Sequence, residues 1–268
     1  MFNSCYFIGV YIYYLGSLKL SVFIGLIIEE WDMSEPLEYS RKSKNDHPPA
    51  LYDAYKSTVN RSPNRKPVKI EHTLTEITGP LFKNEKIEAG ENDLSIVDGQ
   101  EAQGQRIYVS GRVLDEDRKP VPNTLIEIWQ CNAAGRYKHA VDQHPAPLDP
   151  NFTGKGRIVS NEQGEYKFTT IKPGAYPWGN HYNAWRPAHI HFSLFGPAFV
   201  TRLITQMYFP DDPLFPFDPI FNSIPEDSVR KRVVAKFDLD TTEPDFALSF
   251  KFDFVLRGRD ATPFEDQD

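Results

Sequence analysis

Between Arg106 and Leu256 the chain falls into short runs in which apolar and polar side chains alternate: RIYVSGRVLD (106–115), TLIEIWQ (124–130), GRIVS (156–160), EYKFTTI (165–171), HIHFSLF (189–195), TRLITQMYF (201–209) and SFKFDFVL (249–256). A repeat of two is what a strand with one buried face produces. Short strands separated by turn residues at this spacing predict an all-β sandwich of the immunoglobulin or transthyretin kind, with long loops. EDRKPVPN is read as the turn after the first run, NEQG as a hairpin turn joining GRIVS to EYKFTTI, and Gly196-Pro197 as the turn after HIHFSLF. One helix is predicted, from Glu226 to Lys236, opened by Pro225 and carrying Val229, Val233 and Val234 on one face.

Ahead of these strands the pattern changes twice. Residues 5–28 are almost wholly apolar, with Lys19 as the only charge, and are long enough to span a bilayer. A membrane anchor, an uncleaved export signal and translated upstream sequence compete for this stretch. A basic leader and a small-residue cleavage site are both missing, which disfavours export. Composition turns polar abruptly at Met33, as at an authentic start, so residues 1–32 are expected to be a non-native extension. Residues 33–104 are polar, proline-punctuated and weakly periodic; they are expected to form an extended N-terminal arm, with disorder as the alternative. Residues 105–268 form the predicted sandwich.

Composition narrows the function classes. The chain has 22 prolines against 16 glycines, which favours turns and extended connections over long helices. A formal net charge of −7 offers no general attraction to nucleic acid or an anionic membrane. Cys5 and Cys131 stand far apart, giving neither a disulfide framework nor a zinc knuckle, and a reducing, cytoplasmic setting is expected.

Candidate chemistry concentrates in HIHFSLF. Alternate residues leave the same face of a strand, so His189 and His191 point to one side, close enough to share a metal ion. Two hydrogen-bonded core or groove histidines are the competing explanation. No acidic residue follows within FSLFGP, which disfavours a ferrous site of two histidines and one carboxylate. Tyrosines lie nearby in sequence instead, Tyr137 in NAAGRYKH and Tyr176 in KPGAYPW. A phenol ionises near pH 10 in water, so a tyrosinate ligand at neutral pH requires a hard, strongly Lewis-acidic cation, as ferric iron is.

Seven segments extend this reading: HPPALYDAYKSTVNRSP, GRVLDEDRKPVPNTLIEIWQCNAAGRY, APLDPNF, TIKPGAYPW, WRPAHIHFSLFGP, LITQMYF and FVLRGR. In this order, from about His47 to Phe264, they resemble the intradiol ring-cleaving dioxygenases; residues 1–32 have no counterpart. The resemblance implies that Tyr137, Tyr176, His189 and His191 bind one non-haem Fe(III), with water or hydroxide as fifth ligand. It makes Tyr176 and His191 axial, and Tyr137 and His189 equatorial. Tyr176 would be displaceable and take up a substrate proton, and Arg186 would stabilise carbanion character and the oxygen adduct. The alternative for Arg186 is an ion pair with a loop carboxylate. Gln206, Trp178 and Ile220 match positions lining the substrate or oxygen pocket, and Tyr55 matches a residue that recognises a substrate carboxylate. Tyr208 and Trp129 are expected to pack. The implied reaction is cleavage of protocatechuate by O2 to 3-carboxy-cis,cis-muconate, with a homologous α subunit as partner in a symmetric (αβ)n assembly. An enzyme acting on catechol or hydroxyquinol, and a non-catalytic transthyretin-like binding subunit, are the alternatives.

Overall fold

Strand β9 (His189–Phe195) shows why the chain folds as it does: Ile190, Phe192 and Leu194 are each fully buried on one face, while His189, His191 and Ser193 occupy the other. In the computed structural model, which describes residues 46–65, 68, 87–179, 185–196 and 202–264, the strands in chain order are β1 (Ile96–Val97), β2 (Gln100–Glu101), β3 (Arg106–Leu114), β4 (Leu125–Trp129), β5 (Lys155–Val159), β6 (Glu165–Ile171), β7 (Tyr176–Pro177), β8 (Trp185–Arg186), β9, β10 (Arg202–Tyr208), β11 (Lys236–Phe237), β12 (Leu248–Lys251) and β13 (Phe254–Val255). Two sheets make the sandwich. One is antiparallel, ordered β10-β9-β4-β5. The other runs β11-β12-β3-β6, with β12 and then β13 parallel to β3.

Between the sheets, Ile107, Val109 and Val113 from β3 meet Ile126 and Ile128 from β4 and the inward residues of β9. Phe192 is the centre of an aromatic cluster, its ring centroid 5.9 Å from Phe168 and 5.1 Å from Phe254, both edge-on. Such contacts add to burial because ring edges and faces carry opposite partial charge. Ile190 is buried between the two histidine positions, so Ile190→Val is expected to cost about 1 kcal/mol through the lost methylene and residual cavity. Urea unfolding measures it.

Every predicted run contains strand, but SFKFDFVL is interrupted at Phe252-Asp253 into β12 and β13, and three further local expectations change. NEQG does make a tight turn, with Gly164 N–H donating to Asn161 O at 2.9 Å. It does not close a hairpin: β5 pairs with β4 in one sheet and β6 with β3 in the other. Gly164 O accepts from Val113 N–H at 2.8 Å, so the chain is captured by β3 as it leaves the turn. The expected helix at 226–236 shrinks to Asp227–Arg230 followed by a 3-10 turn at Lys231–Val233. Val234 is extended because Ala235 N–H reaches Tyr208 O at 2.8 Å, and that tertiary bond wins over a helix weakened by adjacent β-branched residues. Finally, part of the arm is regular. Asp98 and Gly99, both at positive φ, turn β1 into β2, while Leu94 N–H and Thr169 N–H tie the arm to β6.

The apolar stretch 5–28 and Met33 lie outside the described residues, as does most of the turn beginning at Gly196-Pro197. Among the described residues no helix is long and apolar enough to cross a membrane.

Candidate metal centre

Because the core claims one face of β9, His189 and His191 stand on the outer face of their sheet. Cross-strand register places Gln206 and Trp129 beside His191, and Tyr208 beside His189. Trp129 stacks on the His191 ring, with centroids 4.9 Å apart and planes 7° from parallel, so its packing role also fixes an imidazole. The two imidazoles turn their Nε2 atoms toward each other, 3.2 Å apart. His189 Nδ1 lies 2.7 Å from Pro187 O, and a carbonyl can only accept, so the ring hydrogen is on Nδ1 and Nε2 presents a lone pair. Burial first, then the Arg186 charge and His191, holds the His189 pKa well below the usual imidazole value. That ring is neutral.

Two loops bring the phenols over this pair. Tyr176 opens the two-residue ladder of β7 with β8, directly opposite Arg186, and its Oη is 3.4 Å from His189 Nε2. Tyr137 follows a turn wound around Asn132, whose Oδ1 accepts from Ala134 N–H and Arg136 N–H at 3.0 and 2.9 Å. Asp142 then accepts from Tyr137 N–H at 2.7 Å. The loops are joined where Gly174 N–H donates to Asn132 O; a Cβ on Gly135 would lie 2.2 Å from Ala175 O, so only glycine permits the approach. Buried Cys131 belongs to this joint, its Sγ 3.3 Å from Gly174 O and its thiol pushed up to about 12 by burial. The Tyr137 and Tyr176 rings meet edge-on at 5.2 Å.

Burial raises the pKa of both phenols, against the opposing pull of Arg186. Tyr137 Oη is buried and, apart from a loose contact with the Tyr176 hydroxyl, makes no hydrogen bond of good geometry among the described residues. A buried, unsatisfied hydroxyl is costly in a folded protein unless something else completes it. Two imidazole nitrogens and two phenol oxygens in one place form a donor set of the kind a hard trivalent cation completes. The residues fit ferric iron.

Arg186 is 2% exposed and pairs with the fully buried Asp218, through Nη2 to Oδ2 at 3.0 Å and Nε to Oδ1 at 3.3 Å. The ion pair anticipated as an alternative for Arg186 is therefore present. It leaves Nη1 free to face His189 Nε2 at 3.0 Å and Tyr176 Oη at 3.4 Å, so structural pairing and a place in the site coexist. Burial alone would lower the Arg186 pKa; Asp218, then Tyr176 and Tyr208, more than offset it. Gln206 Oε1 accepts from Arg186 Nη2 at 2.7 Å, and Tyr208 Oη accepts from the same nitrogen at 3.0 Å, a polar contact beyond the packing expected of it. Trp178 lies 5.4 Å from the guanidinium carbon and meets Tyr55 edge-on at 5.1 Å, which brings the arm to the site. Gln206, Ile220 and Tyr55 share the lining of a small cavity behind β10. All nine candidates thus gather in one region.

A family model described as Dioxygenase matches residues 77–258, which is most of the chain. The chain belongs to the intradiol ring-cleaving dioxygenases. A second model, described as Protocatechuate 3,4-dioxygenase beta subunit N terminal, matches residues 39–73, within the expected arm. Among members of the dioxygenase family, the protocatechuate 3,4-dioxygenase beta chain of Burkholderia cepacia is 53% identical over 87% of this chain and 100% of its own length. The hydroxyquinol 1,2-dioxygenase of Rhizobium sp. (strain MTP-10005) is 34% identical over 51% of this chain and 46% of its own. The protocatechuate 3,4-dioxygenase alpha chain of Pseudomonas putida is 29% identical over 62% of this chain and 78% of its own. The greater identity to a beta chain along its whole length than to an alpha chain, within an enzyme family, sets aside the non-catalytic binding subunit.

Asp218 and Asp142 were not anticipated. Asp218-Pro219 is an N-cap followed by proline at the first helical position, a pattern legible in sequence, and Asp218 does accept from Ile220 N–H at 3.1 Å. Nothing in sequence pairs it with Arg186.

Proposed function

We propose that this chain is the iron-bearing subunit of an enzyme that cleaves protocatechuate between its two hydroxyl-bearing carbons, consuming O2 and giving 3-carboxy-cis,cis-muconate. The observation that carries the proposal is the convergence of Tyr137, Tyr176, His189 and His191, in a chain whose 53%-identical relative over its whole length is a protocatechuate 3,4-dioxygenase beta chain. These four side chains would hold one Fe(III). When bound, ferric iron would supply the Lewis acidity that favours the ionised catechol and makes its ring reactive toward O2.

The remaining chemistry is done by the protein. Tyr176 Oη would take up one catechol proton, and Arg186 Nη1, 3.4 Å from that oxygen, would stay beside the negative charge that develops on the substrate. Gln206 stands beside Arg186 at the site, its Oε1 2.7 Å from Nη2. Tyr55 and Trp178 close the pocket from the arm side, with the Tyr55 hydroxyl directed to the substrate carboxylate. Ile220 gives the pocket an apolar wall that excludes water. The likeness to alpha chains as well as beta chains supports assembly with a homologous α subunit in symmetric (αβ)n units.

Co-purified with its α partner, the protein is expected to be red-brown from phenolate-to-Fe(III) charge transfer and to carry one iron per β chain. Oxygen uptake should favour protocatechuate over catechol and hydroxyquinol by at least about tenfold in kcat/KM, or ~1.4 kcal/mol of transition-state binding. Equal or faster turnover of hydroxyquinol would reassign the substrate, and a folded, colourless, iron-free complex would overturn the site.

A further inference from the structure

We propose that Asp218 is a positioning residue of this site: its carboxylate fixes the plane of the Arg186 guanidinium and, through it, the orientation of the Gln206 amide. The inference deepens the reaction proposed above and rests on it. A guanidinium is a rigid planar fork, so a carboxylate gripping the Nε and Nη2 side determines where Nη1 points. Asp218 grips that side at 3.3 and 3.0 Å, and Nη1 then faces Tyr176 Oη and His189 Nε2. Both partners are out of solvent, at 0% and 2% exposure, so water cannot replace a lost contact. Asp218 is itself held. Its Oδ1 accepts from Ile220 N–H at 3.1 Å and its carbonyl accepts from Asn222 N–H at 3.0 Å, which ties the carboxylate to the turn carrying Ile220.

The second effect falls on Gln206. Its Oε1 lies 2.7 Å from Arg186 Nη2 and 3.1 Å from the Tyr208 hydroxyl, two groups able to donate. Flipping the amide would set its NH2 against the guanidinium N–H, so the orientation is fixed by Arg186. Gln206 Nε2 is consequently left as a buried donor with no partner among the described residues. A site that takes an oxygen-rich substrate and O2 can supply the missing acceptor. Asp218 touches neither of them. It acts by deciding where the Arg186 and Gln206 donors point.

Asp218→Asn keeps the shape, removes the charge and turns an NH2 toward the guanidinium. In the iron-loaded αβ complex we expect D218N to lower kcat by roughly 100-fold, as loss of an aimed donor does. Iron content and anaerobic protocatechuate affinity should stay within about threefold of wild type. In an Arg186→Gln background, D218N should change kcat by less than about threefold, because the residue it positions is gone. In metal-free protein, the melting temperature should fall in each single variant and recover in the double variant, since removing both partners leaves no buried unpaired charge. D218N with kcat near wild type overturns the inference. So does a loss that tracks iron content, or one that recurs undiminished in the Arg186→Gln background. Wild-type complex that is itself inactive on every catechol tested overturns the proposed reaction instead, a result distinct from failure of D218N alone.

Discussion

Replacing Tyr137 by phenylalanine, or His189 by alanine, is expected to abolish iron binding and oxygen uptake together while the sandwich stays folded. Changes to residues that merely orient a ligand commonly cost about 10–100-fold in metal affinity or activity, so removal of a donor atom should cost more. The two variants should differ once iron is withdrawn. Tyr137 Oη is buried and, apart from a loose contact with the Tyr176 hydroxyl, makes no hydrogen bond of good geometry among the described residues, so in metal-free protein its deletion removes a poorly satisfied group. Metal-free Tyr137→Phe should therefore be as stable as metal-free wild type or more stable, by up to about 1 kcal/mol. His189→Ala loses packing against Tyr176, Tyr208 and His191 and the bond to Pro187 O, and should be less stable. Iron analysis, oxygen uptake and urea unfolding with and without chelator provide the three readings. Full activity in either variant would remove that residue from the site.

Gly111→Ala should destabilise the fold by more than about 3 kcal/mol, by forcing a methyl group against a backbone carbonyl. A Cβ at this position would stand 1.8 Å from Phe252 O and 2.6 Å from its carbonyl carbon. That contact lies where the C-terminal run passes from β12 to β13 along β3. Phe252 N–H donates to Ser110 O at 2.8 Å, and Arg112 N–H donates to Asp253 Oδ1 at 2.9 Å, so the crossing is bonded on both sides of Gly111. Tyr166 Oη also donates to Phe252 O. Pushing the crossing outward breaks these bonds and withdraws Phe250, Phe252 and Phe254 from the core together. Gly179→Ala is the matched control: a Cβ there meets nothing within 4 Å among the described residues, and the change should stay within about 0.5 kcal/mol. Urea midpoints compared at equal slope separate the two.

The strands were legible because a half-buried sheet writes a period of two into the chain, most clearly in HIHFSLF, where Ile190, Phe192 and Leu194 alternate with the histidines. What was not legible depends on which strand a segment meets. NEQG has the chemistry of a hairpin turn, but pairing with β4 on one side and β3 on the other is decided by the assembled core. Val233-Val234 fits a helical face equally well until Tyr208 O offers Ala235 N–H a bond. The turn at Asp98-Gly99 was readable in principle, because both residues tolerate positive φ, but only two residues on each side form strand. The candidate donors could be named individually. The polar system behind them could not, since a fully buried Asp218 looks in sequence like any loop carboxylate.

The alternation along β9 ties errors in folding to a visible loss. A slip of one residue against β4 and β10 would turn Phe192 out toward the loops and drive both imidazoles into the hydrocarbon interior. With the proposed ligation, a chain slipped in this way would not retain a ferric ion, so the pigment of a preparation would double as a gauge of how many molecules have docked that strand correctly.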